Sequence, residues 1–104
     1  MGSMLFAFSI APTTTSDPDG SVSQDVAAAI AVVRESGLPH RTDAMFTTVE
    51  GEWDECMSVI KRCSDVLLER SSRVSLVIKA DLRPGRSGEL DGKVDRLERA
   101  LGSE

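Results

Sequence analysis

Tyrosine is absent from this chain, histidine and tryptophan occur once each, and cysteine only twice among 104 residues. A single histidine with no serine or cysteine partner in sequence reach leaves Ser-His or Cys-His hydrolysis without its parts. Two cysteines and one distant histidine, His40, are too few for a structural zinc site. Cys56 and Cys63 fall in one helical pattern about 10 Å apart along its axis, too far to bridge, so both read as reduced core residues. No apolar run is long enough to span a bilayer, and the N-terminus lacks the basic and apolar regions of a secretory signal, which makes the cytoplasm the expected location. Basic runs are missing too. The formal charge is −5, from 12 basic and 17 acidic residues, so a nucleic-acid backbone or an anionic membrane surface is repelled on average. Gly85-Arg86-Ser87-Gly88 lacks the lysine and the flanking spacing of a phosphate-binding loop. Asp17-Pro18-Asp19-Gly20 fails as a calcium loop, because Gly20 is at the wrong offset and Ala28 stands where a bidentate glutamate belongs.

What is present is an ordinary globular composition, 40% apolar and 28% charged, of a size that makes one domain. Met1-Gly2-Ser3 before a second methionine reads as a cloning remnant, so the domain is taken as residues 4–104. Met4 to Ala11 alternates Met4, Phe6, Phe8 and Ile10 with Leu5, Ala7, Ser9 and Ala11, a strand neutral on both faces and therefore central in its sheet. Pro12 ends it, and Thr13 to Gly20 is a polar loop. Ser21 with Gln24 forms a capping-box pattern that opens a helix to about Ser36, its apolar stripe being Val22, Val26, Ile30 and Val33, with Gly37 as the stop. Leu38 to Thr42 reads as a short edge strand, since Pro39 cannot donate to a ladder. A tight turn at Thr42 to Ala44 returns the chain as a third strand, Met45 to Glu50, antiparallel to the second. A second helix runs from about Glu52 to Arg70 on the stripe Trp53, Cys56, Met57, Ile60, Cys63 and Leu67. Val74 to Leu82 alternates cleanly as the fourth strand, Pro84 to Gly88 is a loop, and Leu90, Val94, Leu97 and Leu101 mark a short terminal helix.

The order βαββαβ plus a helix, with right-handed crossovers and a local hairpin, predicts an α+β, ferredoxin-like sandwich: a four-stranded antiparallel sheet with two helices on one face. The other face is expected to carry Ala7, Ser9, Thr47, Val49, Ser75, Val77 and Lys79. A mildly apolar surface of that kind is costly to leave bare, which predicts packing against a second subunit.

Chemistry concentrates around Gly51, where the third strand hands over to the second helix and glycine's tolerance of positive φ suits the change of direction. Glu52, Asp54 and Glu55 favour the first helical turn through its free N–H groups and positive dipole end. The only tryptophan, Trp53, stands among them, and an indole beside a carboxylate at a strand terminus suits a flat nitrogen heterocycle. The same residues also have a purely structural reading, with Trp53 capping the core and the acids starting the helix. The paired carboxylates do not make a glycosidase cleft in so small a domain. The chain reads as a binding protein, not an enzyme, and needs neither cofactor nor metal.

Several segments, in order, resemble a known family: Ser9-Ile10-Ala11-Pro12, Ser21-Val22-Ser23, Glu35-Ser36-Gly37-Leu38-Pro39, Met45 with Thr47, Glu50-Gly51-Glu52-Trp53-Asp54-Glu55, and Gly92-Lys93-Val94. The chain is similar over nearly all of Met4 to Leu101 to the small thiamine-binding protein family, relatives of a larger two-repeat hydroxymethylpyrimidine-binding protein. The resemblance implies a ferredoxin-like fold, sheets packed face to face in dimers that pair into tetramers, and binding of thiamine or its pyrimidine half without conversion. On this basis Trp53 or a phenylalanine would stack on the aminopyrimidine, and Glu50 or Ser9 would hydrogen-bond it. Glu50 and Glu52 would form an acidic rim for the cationic thiazolium, and Thr47 with the backbone near Ala11 would fix register. The loop Pro12 to Asp19 is longer and more polar than the family pattern.

Overall fold

A computed structural model describes residues 4–12, 23–83 and 88–102. Met1-Gly2-Ser3, residues 13–20, the expected cap Ser21 with Val22 of the expected apolar stripe, residues 84–87 and residues 103–104 lie outside the described residues. The elements run β1 (Met4–Pro12), α1 (Ser23–Glu35), β2 (His40–Thr42), β3 (Thr47–Gly51), α2 (Trp53–Leu68), β4 (Val74–Asp81) and α3 (Glu89–Gly102). The sheet order is β2-β3-β1-β4 with every neighbouring pair antiparallel. This is the ferredoxin-like α+β arrangement expected from the pattern of elements, with the charge-free strand β1 at the centre.

Local chemistry sets the boundaries. Gly37 adopts φ +77° just past α1, a left-handed residue that stops a helix at little cost. Glu52 is the N-cap of α2, and its backbone N–H donates to Glu55 Oε1 at 3.1 Å. That is one half of a capping box, and it accounts for two of the acids around Trp53. Gly51 differs from expectation, because positive φ among described glycines is confined to Gly37 and Gly88. Its need for glycine is steric: a Cβ there would lie 3.2 Å from Cys56 Sγ and 3.3 Å from Leu38 Cδ2.

Residues paired across antiparallel strands share a face, so the register assigns every side chain. Phe6 and Phe8 of β1 stand opposite Val49 and Thr47 of β3 and opposite Ala80 and Ile78 of β4. All of these face α1 and α2. The core is Phe6, Phe8, Ile10 and Val49 from the sheet, Ala29, Val32 and Val33 from α1, and Cys56, Val59, Ile60, Cys63 and Leu67 from α2. Full burial of each larger side chain contributes about 1.5–3 kcal/mol. Thr47 and Val49 were expected on the opposite face and are not there. That outer face instead carries Thr48 and Glu50 from β3, beside Leu5, Ala7, Ser9 and Ala11 from β1 and Ser75, Val77, Lys79 and Asp81 from β4. One residue of phase in β3 makes the whole difference.

Helix α3 lies on the outer face, across the end where β1 begins. The Leu90 N–H donates to Glu50 Oε1 at 3.4 Å, Lys93 pairs with Asp81, and Asp91 pairs with Arg41 of β2. The rest of the outer face is not covered by α3. Val77 is 55% exposed, and along α3 the apolar stripe becomes more exposed from Val94 (44%) to Leu97 (58%) and Leu101 (63%). Among the described residues no helix is long and apolar enough to cross a membrane.

Candidate ligand-binding site

Strand β1 is nine residues long and β3 only five, and their pairing ends at Phe8 opposite Thr47. On its other side β1 stays paired with β4 as far as Pro12 opposite Val74. Among the described residues, therefore, Ser9 to Ala11 have no strand on the β3 side, and the edge of a central strand is open there. The hairpin between β2 and β3 and the residues Val26 and Ile30 of α1 border the gap. The result is a recess of about 250 Å³. Its walls are Phe8, Ser9, Ile10 and Ala11 from β1, Val26 and Ile30 from α1, and Thr42 to Thr47 from the hairpin.

This notch is apolar except for a few placed polar groups. Thr47 is buried with its Oγ1 3.2 Å from Thr42 Oγ1. Ser9 is half-buried and Ala11 exposed. Asp43 makes the turn: its Oδ1 accepts the N–H groups of Phe46 at 2.8 Å and Met45 at 2.9 Å, and its own N–H donates to Phe46 O at 2.9 Å. Those two N–H donors, Phe46 first, hold its carboxyl below the ordinary carboxylate range, since hydrogen bonds to the charged form favour it. Among the described residues, Asp43 is the one formally charged residue in the notch wall.

Three of the six sequence-derived candidates meet at this place: Ser9, Ala11 and Thr47. The other three do not. Glu50 is 4% exposed on the outer face, at the start of α3. Glu52 caps α2. Trp53, on the first turn of α2, sets its ring edge-on to Phe6 with centroids 5.4 Å apart and an interplanar angle of 78°, and is 48% exposed. Leu5, opposite Glu50, and Ile10 in the notch are five residues apart on one strand, or about 17 Å. The hairpin residues Asp43, Met45 and Phe46 were not among the six. An aspartate opening a turn of Asp-Ala-Met-Phe was the available signal, because such a side chain bonds the backbone two and three residues on.

Two further recesses lie between the outer face and α3, about 220 and 210 Å³, sharing Leu5, Thr48 and Lys93, and Asp43 also lines the first of them. Arg41 and Lys93 in their walls are already engaged by Asp91 and Asp81. The notch differs from both in its strand edge, which is unpaired among the described residues. Burial pushes the thiols of Cys56 and Cys63 up to about 11, Glu55, Glu50 and Glu52 adding to the effect at Cys56. Both are free, buried, and no part of the notch wall. Among the described residues no group of three or more histidine, cysteine or acidic side chains is placed to hold a metal ion.

A family model described as thiamine-binding protein matches residues 6–98. A UPF0045 protein of Mycobacterium bovis is 46% identical over 100 residues, covering 95% of each chain. A solved Bacillus cereus domain of unknown function superposes with a TM-score of 0.80 at 32% identity, covering 89% of this chain and 88% of that one. A Thermotoga maritima protein, provisionally assigned to thiamine biosynthesis or salvage, superposes with a TM-score of 0.71 over 86% of this chain and 94% of its own; at 23% identity it speaks to the fold alone.

Proposed function

This chain belongs to the thiamine-binding protein family, and on that premise we propose that it binds thiamine, or the hydroxymethylpyrimidine half of it, without converting it. The observation that carries the proposal is the notch beside β1. Ligand pockets for whole drug-sized molecules usually measure about 300–1,000 Å³, so a 250 Å³ recess accommodates one ring and leaves the remainder at the mouth. The aminopyrimidine offers donor and acceptor nitrogens on one edge. The open backbone edge of Ser9 to Ala11 offers the same alternation to meet it, as a missing strand would. Ser9 Oγ and Thr47 Oγ1 add side-chain partners, and the rings of Phe8 and Phe46 bound the apolar walls. In this reading Glu50, Glu52 and Trp53 hold the strand-to-helix junction and the seat of α3. The absence of histidine and cysteine from the notch wall favours binding over catalysis.

The protein is proposed to act in the cytoplasm as a homo-oligomer, dimeric through the outer sheet faces and able to pair into tetramers. Support comes from the part of that face outside α3, where Val77 is more than half exposed, and from the exposed stripe of α3. The same surface favours a second reading, a structural or regulatory assembly domain that holds no vitamin. Calorimetric titration with thiamine and hydroxymethylpyrimidine, run beside sedimentation analysis, separates the two. The proposal expects saturable binding of at least one compound, weakened about two- to tenfold in Ser9→Ala, as fits the loss of one hydrogen bond. An oligomer that takes up neither compound leaves only the assembly reading, and a monomer in sedimentation removes the oligomer from both.

A further inference from the structure

We infer that Asp43 is the cation-recognising residue of the notch, selecting ligands that carry a fixed positive charge, such as an N-alkylated azolium ring, over their neutral ring fragments. The inference rests on the notch being the ligand site and adds which ligand class it prefers and why. In the sequence, the acids that suit this purpose are Glu50 and Glu52. The fold puts Glu50 beneath the start of α3 and Glu52 at the cap of α2, at the other end of the sheet. Asp43 stands at the notch itself.

The geometry favours this carboxylate in three ways. It is fixed, because Oδ1 is tied to the N–H groups of Met45 and Phe46 and the side chain is not free to swing away. Its charge is not cancelled: among the described residues no lysine, arginine or histidine forms an ion pair with Asp43, and the nearby Arg41 is spent on Asp91. Asp43 is itself exposed, and it borders Arg41 and Lys93 on the side of α3, but its neighbours on the notch side are apolar. Phe8, Ile10, Val26, Ile30, Met45 and Phe46 line the same recess, and a ring pressed against them and against Asp43 sheds part of its water, which strengthens attraction between opposite charges. A quaternary ring nitrogen suits such a wall better than an ammonium does, being weakly hydrated and attracted to aromatic faces. Both Oδ1 hydrogen bonds favour the ionised carboxylate, so the charge persists through the neutral range.

The test is calorimetric titration of wild type and Asp43→Asn with thiamine, which is cationic at every working pH, and with hydroxymethylpyrimidine, which is neutral. Asparagine keeps an oxygen to accept the two turn N–H groups, so the hairpin is retained while the charge is removed. Thiamine affinity is expected to fall about three- to fivefold and hydroxymethylpyrimidine affinity to change less than twofold, as for a well-fixed ion pair at an exposed carboxylate. In wild type, thiamine binding should weaken as salt is raised from about 50 to about 500 mM, which shortens the Debye length about threefold, and hydroxymethylpyrimidine binding should not. Equal weakening of both compounds in Asp43→Asn would show that the residue acts through the hairpin alone and overturn the inference, with the notch still standing as the site. A thiamine affinity indifferent to salt in wild type would do the same without any substitution. Failure of wild type to bind either compound removes the notch reading itself, a result visible before any variant is made.

Discussion

Gly51→Ala should destabilise the protein through one identifiable contact. The new Cβ would sit 3.2 Å from Cys56 Sγ, 3.3 Å from Leu38 Cδ2 and 3.5 Å from Glu55 Oε1, and the first two distances are several tenths of an ångström inside comfortable packing. Cys56 is fully buried on α2 and has little room to yield. Overpacking of a core usually costs about 1–3 kcal/mol. The stiffer unfolded chain of an alanine variant returns about 0.4–1 kcal/mol, and Gly51 is not in the left-handed region, so no backbone strain is added. The net expectation is a loss of about 1–2 kcal/mol, or a fall in Tm of about 4–8 °C per kcal/mol for a domain of this size. Cys56→Ala alone should cost about 1 kcal/mol, as for a single buried methylene-sized group, yet it removes the closest obstacle. In that background Gly51→Ala should cost less, by a coupling of at least about 0.5 kcal/mol. Urea unfolding of the four proteins in the cycle measures this. An unchanged cost in the Cys56→Ala background, or a stabilising Gly51→Ala, refutes tight packing at the strand-to-helix junction.

Two shorter predictions follow from the same structure. Both buried thiols titrate near 11 against an ordinary value of 9.0, so folding favours their protonated forms; that stabilisation is complete below pH 9 and is lost as the pH rises towards 11. Urea midpoints of wild type should therefore fall more steeply between pH 8.5 and 10.5 than those of Cys56→Ala/Cys63→Ala, and parallel slopes would contradict the burial of the thiols. Trp53 lies at the far end of the sheet from the notch, so its emission should stay constant while calorimetry reports thiamine binding, and Trp53→Phe should bind within twofold of wild type. Quenching that saturates at the calorimetric Kd would move the ligand to the start of α2.

Periodicity was enough to read the elements and their order, because β1, β4 and α2 each carry a full apolar stripe. It was not enough to phase β3. That strand begins Thr47-Thr48, two residues of identical character on opposite faces, and only the pairing of Phe8 with Thr47 decides which of them is buried. Likewise the stripe Leu90, Val94, Leu97 and Leu101 says that α3 has an apolar side but not which surface receives it. The ion pairs of Asp91 with Arg41 and Lys93 with Asp81, which seat it, join residues up to 50 positions apart. The split of the candidate residues has a similar origin. Glu50, Glu52 and Trp53 are neighbours in sequence, yet a strand turning into a helix sends successive side chains to different sides. Ser9, Ala11 and Thr47 are distant in sequence and meet because β1 outruns its partner.

The overhang of β1 has a second side. An unpaired strand edge invites any extended chain, including another copy of the same protein, and is a standing risk of runaway misassembly. Among the described residues the unpaired edge is three residues long, Ser9 to Ala11, and β1 ends at Pro12, whose nitrogen carries no hydrogen to donate. A gap of that length is too short to template a foreign strand.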